Sequence, residues 1–182
     1  MSSRCFAVVS SVLMSCAFSA CATTAATTAS AGQKRAASAL PDFELNTLHG
    51  DRLRLSEHLG RDVVVLAFWD TWCEPCKAEL PHLDRIYRTH KDKGFVVLAI
   101  AMDDPSTAMN VAPYVHESGF EFPVLLDPNS EASNLYNTHK SAPYTVIIGR
   151  DGKIASETLG FEPAAAKLME ERIEKLLAAA KP

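Results

Sequence analysis

The chain has 182 residues, 47% of them hydrophobic and 22% charged, and a formal net charge of -4. That composition suits a single globular domain with an ample core. It offers no clustered excess of Lys and Arg, so nucleic acid is excluded as a partner class.

At the N-terminus, Arg4 precedes the apolar run Phe6 to Phe18, which is followed by small residues. This is the pattern of an export leader, and the run is too short to span a bilayer. Residues 22–39 are mostly Ala, Thr and Ser, cannot bury a core, and read as a flexible spacer. Phe18-Ser19-Ala20-Cys21 resembles the bacterial lipobox, although Phe18 stands where Leu is usual. The resemblance implies a signal peptide over 1–21 and lipidation of Cys21, with a membrane contact through several acyl chains. Cleavage by the ordinary signal peptidase, for instance after Ala22 in Ala20-Cys21-Ala22, would instead release the protein. Of the five cysteines, Cys5 and Cys16 leave with the leader and Cys21 is lipidated or lies in the spacer. Only Cys73 and Cys76 then belong to the domain 40–182. An exported domain of roughly 140 residues can be stable without disulfide staples, so this pair is free for chemistry.

Within the domain, 40–45 and 52–55 alternate as two short strands around a turn at 48–51, an N-terminal hairpin. Val63 to Trp69 is a continuous apolar run, as expected of an interior strand buried on both faces. After it, Leu80, Leu83, Ile86 and Tyr87 recur at helical spacing, predicting a helix from Glu74 to His90 with a kink at Pro81. Phe95 to Met102 is a second buried strand, so the order strand, helix, strand suits a right-handed parallel crossover and an α/β fold. A helix over 106–118, a strand over 122–126 and a helix over 130–138 follow. The segments 144–148 and 153–158 flank Gly149-Arg150-Asp151-Gly152 as an antiparallel hairpin. The last segment places Ala165, Leu168, Met169, Ile173, Leu176 and Leu177 on one apolar stripe of a covering helix.

Cys73 falls where a buried strand turns into a helix, so helix N-terminal amides and the positive end of the dipole favour its thiolate. Cys76 lies nearly one turn further on, close enough to close a disulfide and more buried. Cys73 is thus the expected nucleophile and Cys76 the resolving residue: reduced Cys73 attacks a partner disulfide, and Cys76 then releases the reduced partner. Structural zinc is disfavoured because the domain has no second Cys pair. A purely structural disulfide between residues three apart restrains the unfolded chain little. The redox group would therefore be the Cys73–Cys76 pair itself, with no other cofactor and no metal.

Phe68-Trp69-Asp70-Thr71-Trp72-Cys73-Glu74-Pro75-Cys76-Lys77-Ala78-Glu79-Leu80-Pro81 resembles the active-site segment of TlpA/ResA/CcmG-type thioredoxins. Pro41 to Leu45 and Leu55 to Gly60 resemble that family's opening hairpin, and Phe122 to Asp127 its central insertion. The resemblance implies a thioredoxin fold with an N-terminal β-hairpin and a helix-strand insertion, its mixed sheet covered by helices on both faces. It assigns Ala142-Pro143 as the cis-proline facing the active site, which pairs with the bound partner beside Trp72. It also makes Glu79 a buried acid able to exchange a proton with Cys76; a solvated helix carboxylate is the alternative. Trp69 and Trp72 are expected to wall the site. Ala67 replaces the buried Asp of cytoplasmic thioredoxins. Asp70 stands where Ala or Gly is commoner; it is expected to face solvent, with tuning of the Cys73 environment or of partner choice as the alternative. The family's activity is thiol-disulfide exchange in the bacterial periplasm, reducing exported proteins such as apocytochrome c with electrons from a membrane donor.

Two other activities share the wider fold. Thiol peroxidases carry Thr three residues before the reactive Cys, where this chain has Asp70. Sco-like copper proteins combine a Cys pair with a distant His, for which His139 is the candidate, but their Cys spacing is one residue longer. Thiolates suit copper(I), so this reading stays as the alternative.

Overall fold

The computed structural model describes residues 40–179. The expected leader, Cys21 and the spacer lie outside the described residues. Strands β1 (Glu44–Thr47) and β2 (Arg52–Arg54) form the N-terminal hairpin, with Leu45 opposite Leu53. Gly50, at φ 89, turns the chain where a side chain would be strained. The hairpin starts at Glu44 rather than Leu40. Just upstream, the Asp42 carboxylate accepts from the amides of Phe43 and Ser56, a local bond that replaces ladder pairing.

Strand β3 (Val63–Trp69) is buried along its whole length. Its odd-numbered residues pack on one side of the sheet with Cys76, Leu80, Leu83 and Ile86, all within helix α1 (Glu74–His90). Its even-numbered residues pack on the other side with Phe43, Leu55 and Tyr136. The period of two along an apolar run thus fills both cores at once. Helix α1 continues through Pro81, which supplies no N–H to the carbonyl of Lys77. Strand β4 (Phe95–Ala101) lies parallel to β3, in register from Val63 opposite Phe95 to Trp69 opposite Ala101.

The helix expected over 106–118 is shorter. Asp104 accepts from the amide and hydroxyl of Ser106, and its carbonyl takes the amides of Thr107 and Ala108, so a turn occupies 104–107. A 3-10 turn at Ala108–Asn110 then leads into α2 (Val111–Ser118). Pro113 sits in the first turn of α2, where amides lack intrahelical partners anyway. Next come β5 (Val124–Leu126), α3 (Glu131–Tyr136), β6 (Tyr144–Ile148), β7 (Ile154–Leu159) and α4 (Pro163–Ala178). The seven strands run in the order β2-β1-β5-β4-β3-β6-β7, mixed in direction, with β6 antiparallel to β3.

The apolar stripe of α4 is narrower than the expected one. Ala166 and Ile173 are buried and Met169, Leu176 and Leu177 pack partly against the core, whereas Leu168 is 66% exposed and Ala165 is also exposed. Residues 165 and 168 precede the contact positions by one, about a quarter turn round the helix, and so face its flank. Ile173→Ala should therefore lower stability by about 2–4 kcal/mol, and Leu168→Ala by less than about 0.5 kcal/mol, as read by urea unfolding.

Candidate active site

The carboxyl ends of β3, β4 and β5 lie at one end of the sheet, and the loops following them gather there with the loop that enters β6. Between β3 and α1 the turn 70–72 brings Cys73 to the N-cap of α1 with extended backbone angles, φ -86 and ψ 98. Its amide bonds the Asp70 carbonyl at 3.1 Å. Its sulfur accepts from the Cys76 amide at 3.2 Å, where a capping oxygen would normally sit. Pro75 falls in the first turn, so its missing N–H leaves no gap in the helix. Cys73 and Cys76 are joined as a disulfide, with a sulfur separation of 2.06 Å. Both are buried, Cys76 completely. Once the bond is reduced, the helix N-terminus stabilises negative charge on Cys73.

Glu79 follows Cys76 by three residues on the buried side of α1 and is 2% exposed. Its Oε1 accepts from the Thr145 hydroxyl at 2.7 Å. Thr145 lies in β6 opposite Ala67 of β3, so the small side chain at 67 belongs to the same layer as the carboxyl. Burial pushes the Glu79 carboxyl up to about 7, with the Thr145 hydrogen bond pulling weakly the other way. Glu79 has no ion-pair partner among the described residues.

The Ala142–Pro143 peptide is cis, as the sequence resemblance implied. Ala142 packs against the cluster that contains both cysteines. The preceding loop is fixed by Asn137, which is almost wholly buried: its Nδ2 donates to the Ser141 carbonyl at 2.8 Å and its Oδ1 accepts from the Ser141 amide at 3.1 Å. The Pro143 carbonyl accepts from the Gly160 amide. The two tryptophans have separate fates. Trp69 is a core residue packed against Tyr114, with ring centroids 5.5 Å apart, while Trp72 is 65% exposed beside Cys73.

Asp70 departs from expectation. It is 5% exposed rather than solvent-facing, and burial together with the nearby Asp103 and Asp104 pushes its carboxyl up to about 6. The turn folds over it because Asp103 accepts from the Thr71 amide at 3.0 Å and the Thr71 hydroxyl at 2.5 Å. Asp103 and Thr145 are site residues that sequence reasoning did not identify, and Asp70 was singled out without its burial being foreseen. Thr145 had a weak signal, two residues after Pro143. His139, the copper candidate, is exposed on its loop. Among the described residues no group of three His, Cys, Asp or Glu side chains is placed to hold a metal ion.

Comparison with known proteins adds a family assignment. Residues 36–157 match the model of the AhpC/TSA family. A protein of Geobacillus kaustophilus named thiol-disulfide oxidoreductase ResA is 32% identical over 145 residues, 80% of this chain and 78% of that one. Among solved structures, a Chlorobium tepidum protein provisionally described as the thiol:disulfide interchange protein DsbE superimposes with a TM-score of 0.70. It is 32% identical, over 77% of this chain and 96% of that one. The exposed lipoprotein thioredoxin of Streptococcus pneumoniae gives a TM-score of 0.61 at 29% identity, over 74% of this chain and 99% of that one.

The raised carboxyls set the pH dependence of stability. Glu79 in the fold keeps its proton up to about 7 but releases it near its ordinary 4.5 once unfolded. The folded state binds more protons between those values, so stability falls as pH rises through that window and levels off above it. Asp70, raised from 3.8 to about 6, acts in the same direction at lower pH. Urea unfolding of the oxidised protein at about pH 5 and about pH 8 should show the fall, and Glu79→Gln should remove at most about 3 kcal/mol of it.

Proposed function

The chain belongs to the AhpC/TSA family and is a thiol-disulfide oxidoreductase, and from that premise we propose that it reduces disulfides of exported proteins outside the cytoplasm. The observation that carries the reading is the Cys73–Cys76 pair at a helix N-terminus with a buried acid, Glu79, one turn further on.

The Cys73 thiolate attacks one sulfur of a substrate disulfide, and the other substrate sulfur leaves as a thiolate that takes a proton from water. A mixed disulfide now joins Cys73 to the substrate. Glu79, as carboxylate, accepts the Cys76 proton, and the Cys76 thiolate attacks the Cys73 sulfur. The second substrate thiol departs and the Cys73–Cys76 disulfide closes, so two electrons pass to the substrate. A carboxyl held near 7 by burial suits this role, since it gains and loses a proton at ordinary pH. Trp72, Ala142 and Pro143 form the docking surface around Cys73. The exposed indole supports this role for Trp72, and the contact of Ala142 with the cysteine cluster supports it for the proline loop.

The leader pattern in 1–21 supports export, and the lipobox-like Cys21 supports a lipid anchor with 22–39 as spacer. The description of the Streptococcus pneumoniae relative as an exposed lipoprotein agrees with that reading. An anchored reductase would draw its electrons from a membrane donor and act on exported substrates such as apocytochrome c.

The cysteine roles are testable by trapping. Cys76→Ser should accumulate a mixed disulfide with a disulfide-bonded substrate on a non-reducing gel, and Cys73→Ser should give none. The reverse pattern would make Cys76 the nucleophile. Glu79→Gln should slow resolution by about 100-fold or more, with capture of the substrate by Cys73 nearly unchanged in stopped-flow measurements.

A further inference from the structure

A small open cleft begins at the residue before Cys73 and is lined by Asp70, Trp72, Met102, Asp104, Ser130 and Lys140, with Ser133 at its floor. Three carboxylates lie in or near it. Asp103 has both oxygens engaged by the Thr71 amide and hydroxyl. Asp104 is exposed and accepts from the amide and hydroxyl of Ser106 through Oδ1 alone. The Asp70 carboxylate, in a side chain 95% removed from solvent, receives no hydrogen bond and no ion pair among the described residues, yet it lines the cleft. Among the described residues, the one cation lining the cleft, Lys140, places its Nζ 3.3 Å from the Ser130 hydroxyl instead.

We propose that this cleft is a subsite for a cationic side chain, lysine or arginine, lying next to the reacting cysteine of the substrate polypeptide. The proposal rests on the reductase reading above and names the class of substrate that reading leaves open. The Asp70 carboxylate has no protein donor among the described residues, and an entering ammonium or guanidinium supplies charge-assisted ones. Trp72, beside Cys73 and largely exposed, offers its indole face to the same cation. The raised Asp70 carboxyl agrees with a group that lacks its counter-ion in the unliganded protein. Trp72, the residue before Cys73, lines the cleft, so a substrate sulfur meeting Cys73 brings its immediate sequence neighbours near it.

The test compares disulfide-linked peptides that are identical except for Lys, Ala or Glu beside the cysteine, each reduced by the full-length reduced protein. The expected order of kcat/KM is Lys, Ala, Glu, with about a tenfold span from Lys to Glu. Asp70→Asn and Asp70→Ala should each shrink the span to under about twofold. The span is a ratio taken within one protein, so it is read separately from any change in overall rate. Equal kcat/KM for all three peptides, with ready reduction of each, would overturn the subsite while leaving the reductase reading intact. A Lys preference that survives both substitutions would overturn it too. Failure to reduce any peptide disulfide would bring down the reductase reading and the subsite with it.

Discussion

The amide of Cys76 meets the sulfur of Cys73 at 3.2 Å because β3 passes the chain into α1 through a turn only long enough to set Cys73 at the helix N-cap. Around that contact the rest of the site is arranged. β3 cannot shift by one residue without moving its odd-numbered side chains from the α1 core into the opposite one. The parallel pairing with β4 and the antiparallel pairing with β6 fix it from both sides. The same register that buries Trp69 and Ala67 against α1 therefore aims helix amides at one sulfur. The disulfide chemistry is a consequence of how an apolar strand ends.

Two acids flank that sulfur pair in different ways. Glu79 projects from the buried face of the helix, and its carboxyl accepts from Thr145 on the strand that follows the cis-proline. The Asp70 carboxylate lies under the turn and accepts no hydrogen bond among the described residues, while Asp103 holds the turn. Burial raises both carboxyls toward neutrality. The first is suited to moving the Cys76 proton, and the second faces the cleft through which a substrate chain would pass.

Much of this was legible in the sequence, and the limits are physical. Val63 to Trp69 and Glu74 to His90 were readable to the residue, because a long apolar run and a strong helical period leave little choice. The position of Cys73 followed from their junction. The cis peptide at Ala142–Pro143 and the burial of Glu79 came from family resemblance, since neither a turn proline nor a helix carboxylate declares its environment. The fate of Asp70 was not readable: it depends on Thr71 bonding to Asp103, a contact between residues 32 positions apart. Of the expected α4 stripe, Met169, Ile173, Leu176 and Leu177 meet the core and Ala165 and Leu168 do not, because Ala and Leu outnumber the sites that need them.

The most direct test is the reduction potential of the Cys73–Cys76 couple, measured by equilibrating the purified protein with dithiothreitol or glutathione. A dedicated reductase requires a value near the thioredoxin end of the scale, roughly -270 mV. A value near the oxidising end, roughly -120 mV, would mean that the helix N-terminus stabilises the Cys73 thiolate enough to reverse the flow, and would make the protein a donor of disulfides.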